Sequence, residues 1–258
     1  MNINMAILSV RVSILCCLIP LVTLFSSCDI VEDLIGVEDD NSPAINIDNG
    51  LVYYTTFDDG SAKNVIENSS LNGVFVNSPN LVDDTPDGSG KAVFFNSIKG
   101  QWMTIPGDPL QGESKNFAMS FWIKNFTTGN IIAGLENEKF VALSLTAESD
   151  GYFSFRTRNS TSGFYKFTGY KYAGLQNEQW HMLTVCSESS EDGLKLSLYV
   201  DGTFVDVLGR DRYWTSPLKV QVGGNNSEGS SNFYFDNLRV YNRSLTADEV
   251  KRIYDVER

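Results

Sequence analysis

From residue 51 to residue 241 the chain is a succession of short apolar or alternating runs, separated by Gly, Asn, Asp and Ser. They include "LVYYTTF", "GVFVN", "KAVFFN", "QWMTI", "FAMSFWIK", "FVALSLTA", "YFSFRTR", "WHMLTVC", "LKLSLYV", "TFVDVL", "KVQVGG" and "FYFDNLRVY". In "GLKLSLYVDG", Leu194, Leu196, Leu198 and Val200 fall on one face, and Lys195, Ser197 and Tyr199 on the other. In "NFAMSFWIK", Phe117, Met119, Phe121 and Ile123 share a face. A period of two is what a half-buried antiparallel strand requires, because successive side chains point to opposite faces of a sheet. Asp201-Gly202, between two such runs, predicts a hairpin, since a type I′ turn needs positive φ at both central positions. Many short strands with turn signals between them predict an all-β sandwich of two antiparallel sheets. No repeat, low-complexity block or linker interrupts the pattern, so residues 50–258 read as one domain.

The two ends break the pattern. Near the C-terminus, Thr246 and Glu249 make an S/T-x-x-E capping box, with Leu245 placed to staple against Val250. Leu245, Val250, Ile253 and Tyr254 then form one apolar face of a helix too short to persist unless it docks on the sandwich. At the N-terminus, Arg11 precedes "VSILCCLIPLVTLF". That run is shorter than the about 20 residues of a membrane span and suits a signal-peptide core. Ser26-Ser27-Cys28 follows, and "LFSSC" resembles a bacterial lipobox, in which the cysteine is lipidated and becomes the new N-terminus. Phe25 stands where Leu is usual, and the longer apolar stretch Met5–Phe25 keeps an uncleaved signal anchor as the alternative. Residues 29–49 are acidic and read as a tether, similar to the stretch that directs lipoproteins of the Bacteroides type to the cell surface. The expectation is an outer-membrane lipoprotein, anchored through Cys28 and exposed at the surface.

Cysteine usage agrees with export. Cys16 and Cys17 lie in the leader and Cys28 carries lipid, so Cys186 alone remains in the folded part and has no disulfide partner. Its setting in "HMLTVC" predicts a buried structural thiol. With 42% hydrophobic and 12% aromatic residues among 258, the chain holds enough apolar surface for a sizeable core and is not disordered. A formal net charge of −12 repels phosphate backbones and anionic membranes, excluding nucleic acid and direct lipid-surface binding. It accommodates neutral ligands such as sugars, and cations.

"FDNLRVYNRSLTADEVKRIY" closely resembles the end of the laminin-G-like, concanavalin A-like jelly-roll domains of bacterial secreted proteins. "LVYYTTFDDG", "NSSLNGVFVN", "KAVFFN", "FAMSFWIK", "WHMLTV" and "LSLYVDGTFV" match further segments of that family in order, with departures at Asp59 and Leu71. The resemblance implies a two-sheet jelly roll with one concave face, in a family that includes lectins, sugar-binding modules, adhesion domains and glucanases. It also implies a structural Ca²⁺ where the first and last strands meet. The matching carboxylates are Asp58 and Asp236, with Asn72-Gly73 as a loop contributor. Calcium seeks several hard oxygen ligands; the alternative is that Asp58 shapes its turn and Asp236 bonds nearby backbone.

Candidate chemistry points to binding rather than catalysis. The Glu-x-Asp-x-x-Glu run of glucanases of this fold is missing; Glu148-Ser149-Asp150 is the nearest approach, and Asp150-Gly151 reads as a turn. One histidine, His181, and one unpaired cysteine leave no nucleophilic triad and no His/Cys zinc site. Two segments combine aromatic rings, which stack on sugar faces, with polar groups that fix hydroxyls. "GRDRYWTS" supplies Arg210, Asp211, Arg212, Tyr213 and Trp214; "GFYKFTGYKYAG" supplies Phe164, Tyr165, Tyr170 and Tyr172. Arg156 and Arg158 share a strand face opposite Phe153 and Phe155. The bland reading is that these aromatics cap the sandwich edges. The leading expectation is a non-catalytic, glycan-binding module. The alternatives are a protein-binding or structural adhesion domain, and a divergent glycoside hydrolase.

Overall fold

The computed structural model describes residues 45–110, 116–136, 140–159, 163–190, 193–211, 218–224 and 231–258. In chain order the strands are β1 (Leu51–Thr55), β2 (Val74–Val76), β3 (Asn80–Val82), β4 (Ala92–Phe95), β5 (Trp102–Ile105), β6 (Phe117–Lys124), β7 (Gly129–Glu136) and β8 (Phe140–Ala147). There follow β9 (Tyr152–Asn159), β10 (Gly163–Lys171), β11 (His181–Ser190), β12 (Gly193–Val200), β13 (Thr203–Asp211), β14 (Leu218–Val222) and β15 (Phe233–Tyr241). Helix α1 (Ala247–Glu257) ends the chain. One sheet has the order β13-β12-β11-β6-β15-β4-β3, with β1 also paired to β15; the other has the order β10-β9-β8-β7-β14-β5-β2. Every pairing is antiparallel.

The two sheets face each other across a core rich in phenylalanine. Phe235 on β15 packs against Phe57, Phe95, Phe121 and Phe233, with ring centroids 5.1–6.2 Å apart. Such tilted and offset pairs bury large apolar area while avoiding face-to-face repulsion of the rings. The alternation of β12 is realised, with Leu194, Leu196 and Leu198 buried in this core. The β12–β13 turn is of the expected kind, with φ of 49° at Asp201 and 75° at Gly202.

On β6 the alternation disappears: seven of its eight residues are buried. One face meets the core and the other lies under α1. Trp122, Met182, Cys186, Tyr199 and Tyr241 on the sheet pack with Leu245, Val250 and Ile253 from the C-terminal segment. Tyr254 stacks on Trp122 at 5.5 Å. The capping box forms as the spacing predicts: the Glu249 N–H donates to Thr246 Oγ1 at 3.2 Å and the Thr246 N–H to Glu249 Oε2 at 2.8 Å. Cys186 is buried in this layer, and burial pushes its thiol up to about 12.

Candidate functional site

Two places gather hydrogen-bonding or charged side chains beyond what packing needs. The first is an acidic cleft of about 210 Å³ beside β15. Three arms build it. In "TTFDDG", Phe57 takes a left-handed φ of 61°, which a bulky side chain rarely adopts; its ring is buried and Asp58 faces the cleft. In β15, Asn237 has φ 48°, and pairing with β6 slips between Asp236 and Arg239. This bulge re-aims Asp236, as bulges beside sites commonly do. The third arm is the turn before β4. Asp87 there accepts the N–H of Ser89 at 3.0 Å and its hydroxyl at 2.6 Å.

Asp58 Oδ1 accepts the Lys91 N–H at 2.8 Å and lies directly over Gly90. A Cβ at Gly90 would sit 1.8 Å from that oxygen, so the turn can bring its backbone this close only through glycine. Asp236 is 3% exposed. Its carboxyl is pushed up to about 8, first by burial, against the pull of the Asn237 N–H, and further by the charges of Asp58, Glu257 and Asp87. Asp87, despite its burial cost, is held below the ordinary carboxylate range by the hydroxyl and N–H of Ser89.

The donors in this cleft are all oxygens, the set calcium prefers. Among the described residues no three His, Cys, Asp or Glu side chains converge closely enough to hold an ion by themselves. A cation here would draw on carbonyl or hydroxyl oxygens as well. Asp58 and Asp236 do meet at the cleft. Asn72 and Gly73 do not line it: Asn72 Oδ1 accepts from the Asn64 N–H at 3.3 Å, and Gly73 sits against Ala62 O and the Tyr53 hydroxyl. Asp87 and Ser89 line the cleft on that side.

The second place is the outer face of the sheet containing β8 and β9. Phe153, Phe155 and Leu145 point into the core, so the alternate residues point outward. Cross-strand register aligns Arg156 on β9 with Ser144 on β8, Ala133 on β7, Gln221 on β14 and Thr104 on β5. A second row holds Ser154, Thr146 and Asn130. Thr146 Oγ1 donates to Asn130 Oδ1 at 2.6 Å, and Ser154 Oγ donates to Glu148. Arg156 Nη2 pairs with Glu148 Oε1 at 3.0 Å, with 29% of its side chain exposed. Ser144, Ser154 and Asn130 are fully buried, and Asn130 Nδ2 has no hydrogen-bond partner among the described residues. An orphaned donor of this kind costs about 1–3 kcal/mol. Glu148, the residue after β8, is the carboxylate paired with Arg156 beside these rows.

The remaining sequence candidates disperse. Tyr172 is corrected from a surface ring to a core ring. It is 3% exposed, packs on Phe126 and Phe153, and its hydroxyl donates to the Glu148 carbonyl. Tyr170 is half-buried against the core. Tyr165 lies in β10, Arg158 in β9, and Arg210 and Asp211 in β13; their side chains fall outside the described residues. Arg212, Tyr213, Trp214 and Cys28 lie outside them altogether. His181 closes a structural knot, with Nδ1 2.7 Å from Asp201 Oδ2 and Nε2 3.0 Å from Asn177 Oδ1.

Two antiparallel sheets in this order, face to face with a short terminal helix, define a jelly-roll sandwich. The chain belongs to the concanavalin A-like lectin/glucanases superfamily: the laminin-G-type model of that family matches residues 97–251, more than half its length. No curated protein sequence matches the chain. Among solved structures, domain 4 of AbnA, a GH43 extracellular arabinanase from Geobacillus stearothermophilus in complex with arabinotriose, is similar. The TM-score is 0.63 at 19% identity, covering 81% of this chain and 98% of that one. The binding domain of botulinum neurotoxin DC is similar in its complex with SialylT (TM-score 0.61, 11% identity, covering 83% of this chain and 53% of that one). Its complex with rat synaptotagmin II gives 0.62 at 10% identity over the same shares. This chain thus spans about half the neurotoxin domain. At these identities the likeness is one of fold.

Proposed function

We propose that the domain is a non-catalytic glycan-binding module of the cell envelope. The observation that carries this reading is the polar layer on the outer face of the β8–β9 sheet. Arg156 and Glu148 stand at its accessible side, with 29% and 15% of their side chains exposed. Sugars present rows of hydroxyls, and a rigid sheet bearing preorganised donors and acceptors suits them. The arabinotriose complex of a similar domain supports the reading. The synaptotagmin complex of another similar domain makes a protein partner the competing outcome. Screening the Ala44–Arg258 unit, a compact unit of the chain, against neutral and acidic polysaccharides tests the proposal. Retention on at least one glycan is expected. Binding to none, with capture of an envelope protein instead, would favour the adhesion reading.

Two further assignments belong to this reading. Calcium beside Asp58 and Asp236, drawing also on carbonyl or hydroxyl oxygens, would neutralise the acidic cleft and tie the first strand to the last, a structural role. Lipid on Cys28 would anchor the domain at the outer membrane, with residues 29–49 as a tether to the surface. Changing Cys28 to Ser is expected to release the protein from the membrane fraction; retention there would favour an uncleaved anchor.

A further inference from the structure

On the outer face of the sheet containing β6 and β15, Trp122, Met182 and Tyr241 lie under α1. The row beside them is aromatic. Cross-strand register aligns Asn80 on β3, Phe94 on β4, Tyr234 on β15 and Lys124 on β6. Their neighbours Val93, Phe95, Phe233, Phe235 and Ile123 belong to the core, so these four side chains point outward. Trp180, the residue before β11, completes the row, because the start of β11 pairs with the end of β6. Its ring lies 6.5 Å from Tyr234 at 76°, and Tyr234 lies 4.7 Å from Phe94 at 41°. All three rings are half-buried, and Asn80 is exposed.

The indole is held by residues far away in sequence. Trp180 Nε1–H donates to Asp84 Oδ1 at 3.0 Å, and Lys124 Nζ donates to Asp84 Oδ2 at 2.5 Å. The same ammonium lies 5.9 Å from the centroid of the Trp180 ring, so the three groups close a triangle. Lys124, and after it the Trp180 N–H, hold the Asp84 carboxyl below the ordinary carboxylate range. With 49% of its side chain exposed, Asp84 has accepting capacity beyond these two bonds. A half-buried indole ordered in advance loses less freedom when a flat ligand settles on it.

We propose that Phe94, Tyr234 and Trp180 form a stacking platform for a neutral glycan chain, on the opposite side of the sandwich from Arg156. Sugars fit it on three counts. Their C–H faces stack on aromatic rings, whose own faces carry partial negative charge. Their hydroxyls match the Asp84 carboxylate and the Asn80 amide at the two ends of the row. Being uncharged, they escape the repulsion that a chain of net charge −12 exerts on acidic polymers, and the lysine of the row is already paired with Asp84. The proposal shares with the reading above its class of ligand and none of its residues, so each stands or falls separately.

The test is calorimetric titration of the protein with cellohexaose, xylohexaose and mannohexaose, with tryptophan emission followed in parallel. At least one sugar is expected to bind saturably and to shift the emission. Trp180→Ala and Tyr234→Ala are each expected to weaken it by about fivefold or more. Asp84→Ala, which frees the indole, is expected to weaken it too. Asp84→Asn, which keeps an acceptor for the Nε1–H, is expected to restore most of that loss. Both Asp84 variants are expected to unfold at the wild-type midpoint, because an exposed ion pair contributes little to stability. If sugar binding survives all these substitutions but is lost in Arg156→Ala, the platform is overturned and the reading above stands. If none of the three sugars binds, the platform falls. Self-association that Tyr234→Ala dissolves, without sugar binding, would make the row a contact between copies and overturn it equally.

Discussion

At Asp236 a single carboxyl sets a pH dependence. Its folded-state value, about 8, lies well above its ordinary 3.8. Folding therefore takes up a proton between those values, and the group's stabilising contribution is fully present below the lower one and lost as pH rises through the higher. In chelator, the unfolding midpoint of the protein is expected to fall from pH 5 to pH 8 more steeply than that of Asp236→Asn. Parallel pH profiles for the two would contradict the burial argument. Gly90 makes a second residue-level prediction. Gly90→Ala meets both a positive φ of 76° and the Asp58 carboxylate, so it is expected to cost more than about 1 kcal/mol in urea unfolding; a neutral result would mean that Asp58 does not occupy this place. That Asp58 and Asp236 meet at one cleft was legible in the sequence because each sits inside a motif of the family. Asp87 was not, because "TPDGSG" reads locally as a turn and its approach to β15 is a tertiary fact. Tyr172 was misplaced for a different reason. The mix of rings and polar residues in "GFYKFTGYKYAG" suggested a surface, but Tyr172 follows the end of β10 and turns in against Phe126 and Phe153, a contact made in the fold and not along the chain.

At the scale of elements, the terminal helix was readable from Thr246, Glu249 and the apolar spacing that follows, because capping is local chemistry. What it covers was not readable. Strands β6 and β15 are buried on both faces only because α1 lies across them, and a period-two pattern cannot announce a second layer. Thr246→Ala removes one side of the capping box and is expected to cost about 1 kcal/mol of stability. The loss should appear first as faster amide exchange within α1, with the sandwich strands unaffected. Uniform acceleration across the sheets would instead mean that helix and sandwich unfold as one unit.

For the whole molecule, strand content, antiparallel pairing and the two-layer architecture all followed from short alternating runs and turn residues. The order of strands did not. β6 lies between β11 and β15, and β14 between β7 and β5, partners distant in sequence whose choice depends on how the sheets close. The polar outer face was legible at Arg156, set opposite the core phenylalanines, but its partners Ser144, Thr146 and Asn130 emerge only from cross-strand register. Glycan recognition by that face is the central claim. The most direct measurement is calorimetric titration of the Ala44–Arg258 unit and its Arg156→Ala variant with the glycan that the wild-type unit retains best. The expected result is saturable binding by the wild type, weakened about tenfold or more in the variant, with an unchanged unfolding midpoint. Equal affinity in both proteins, or no heat of binding from any glycan, would contradict it.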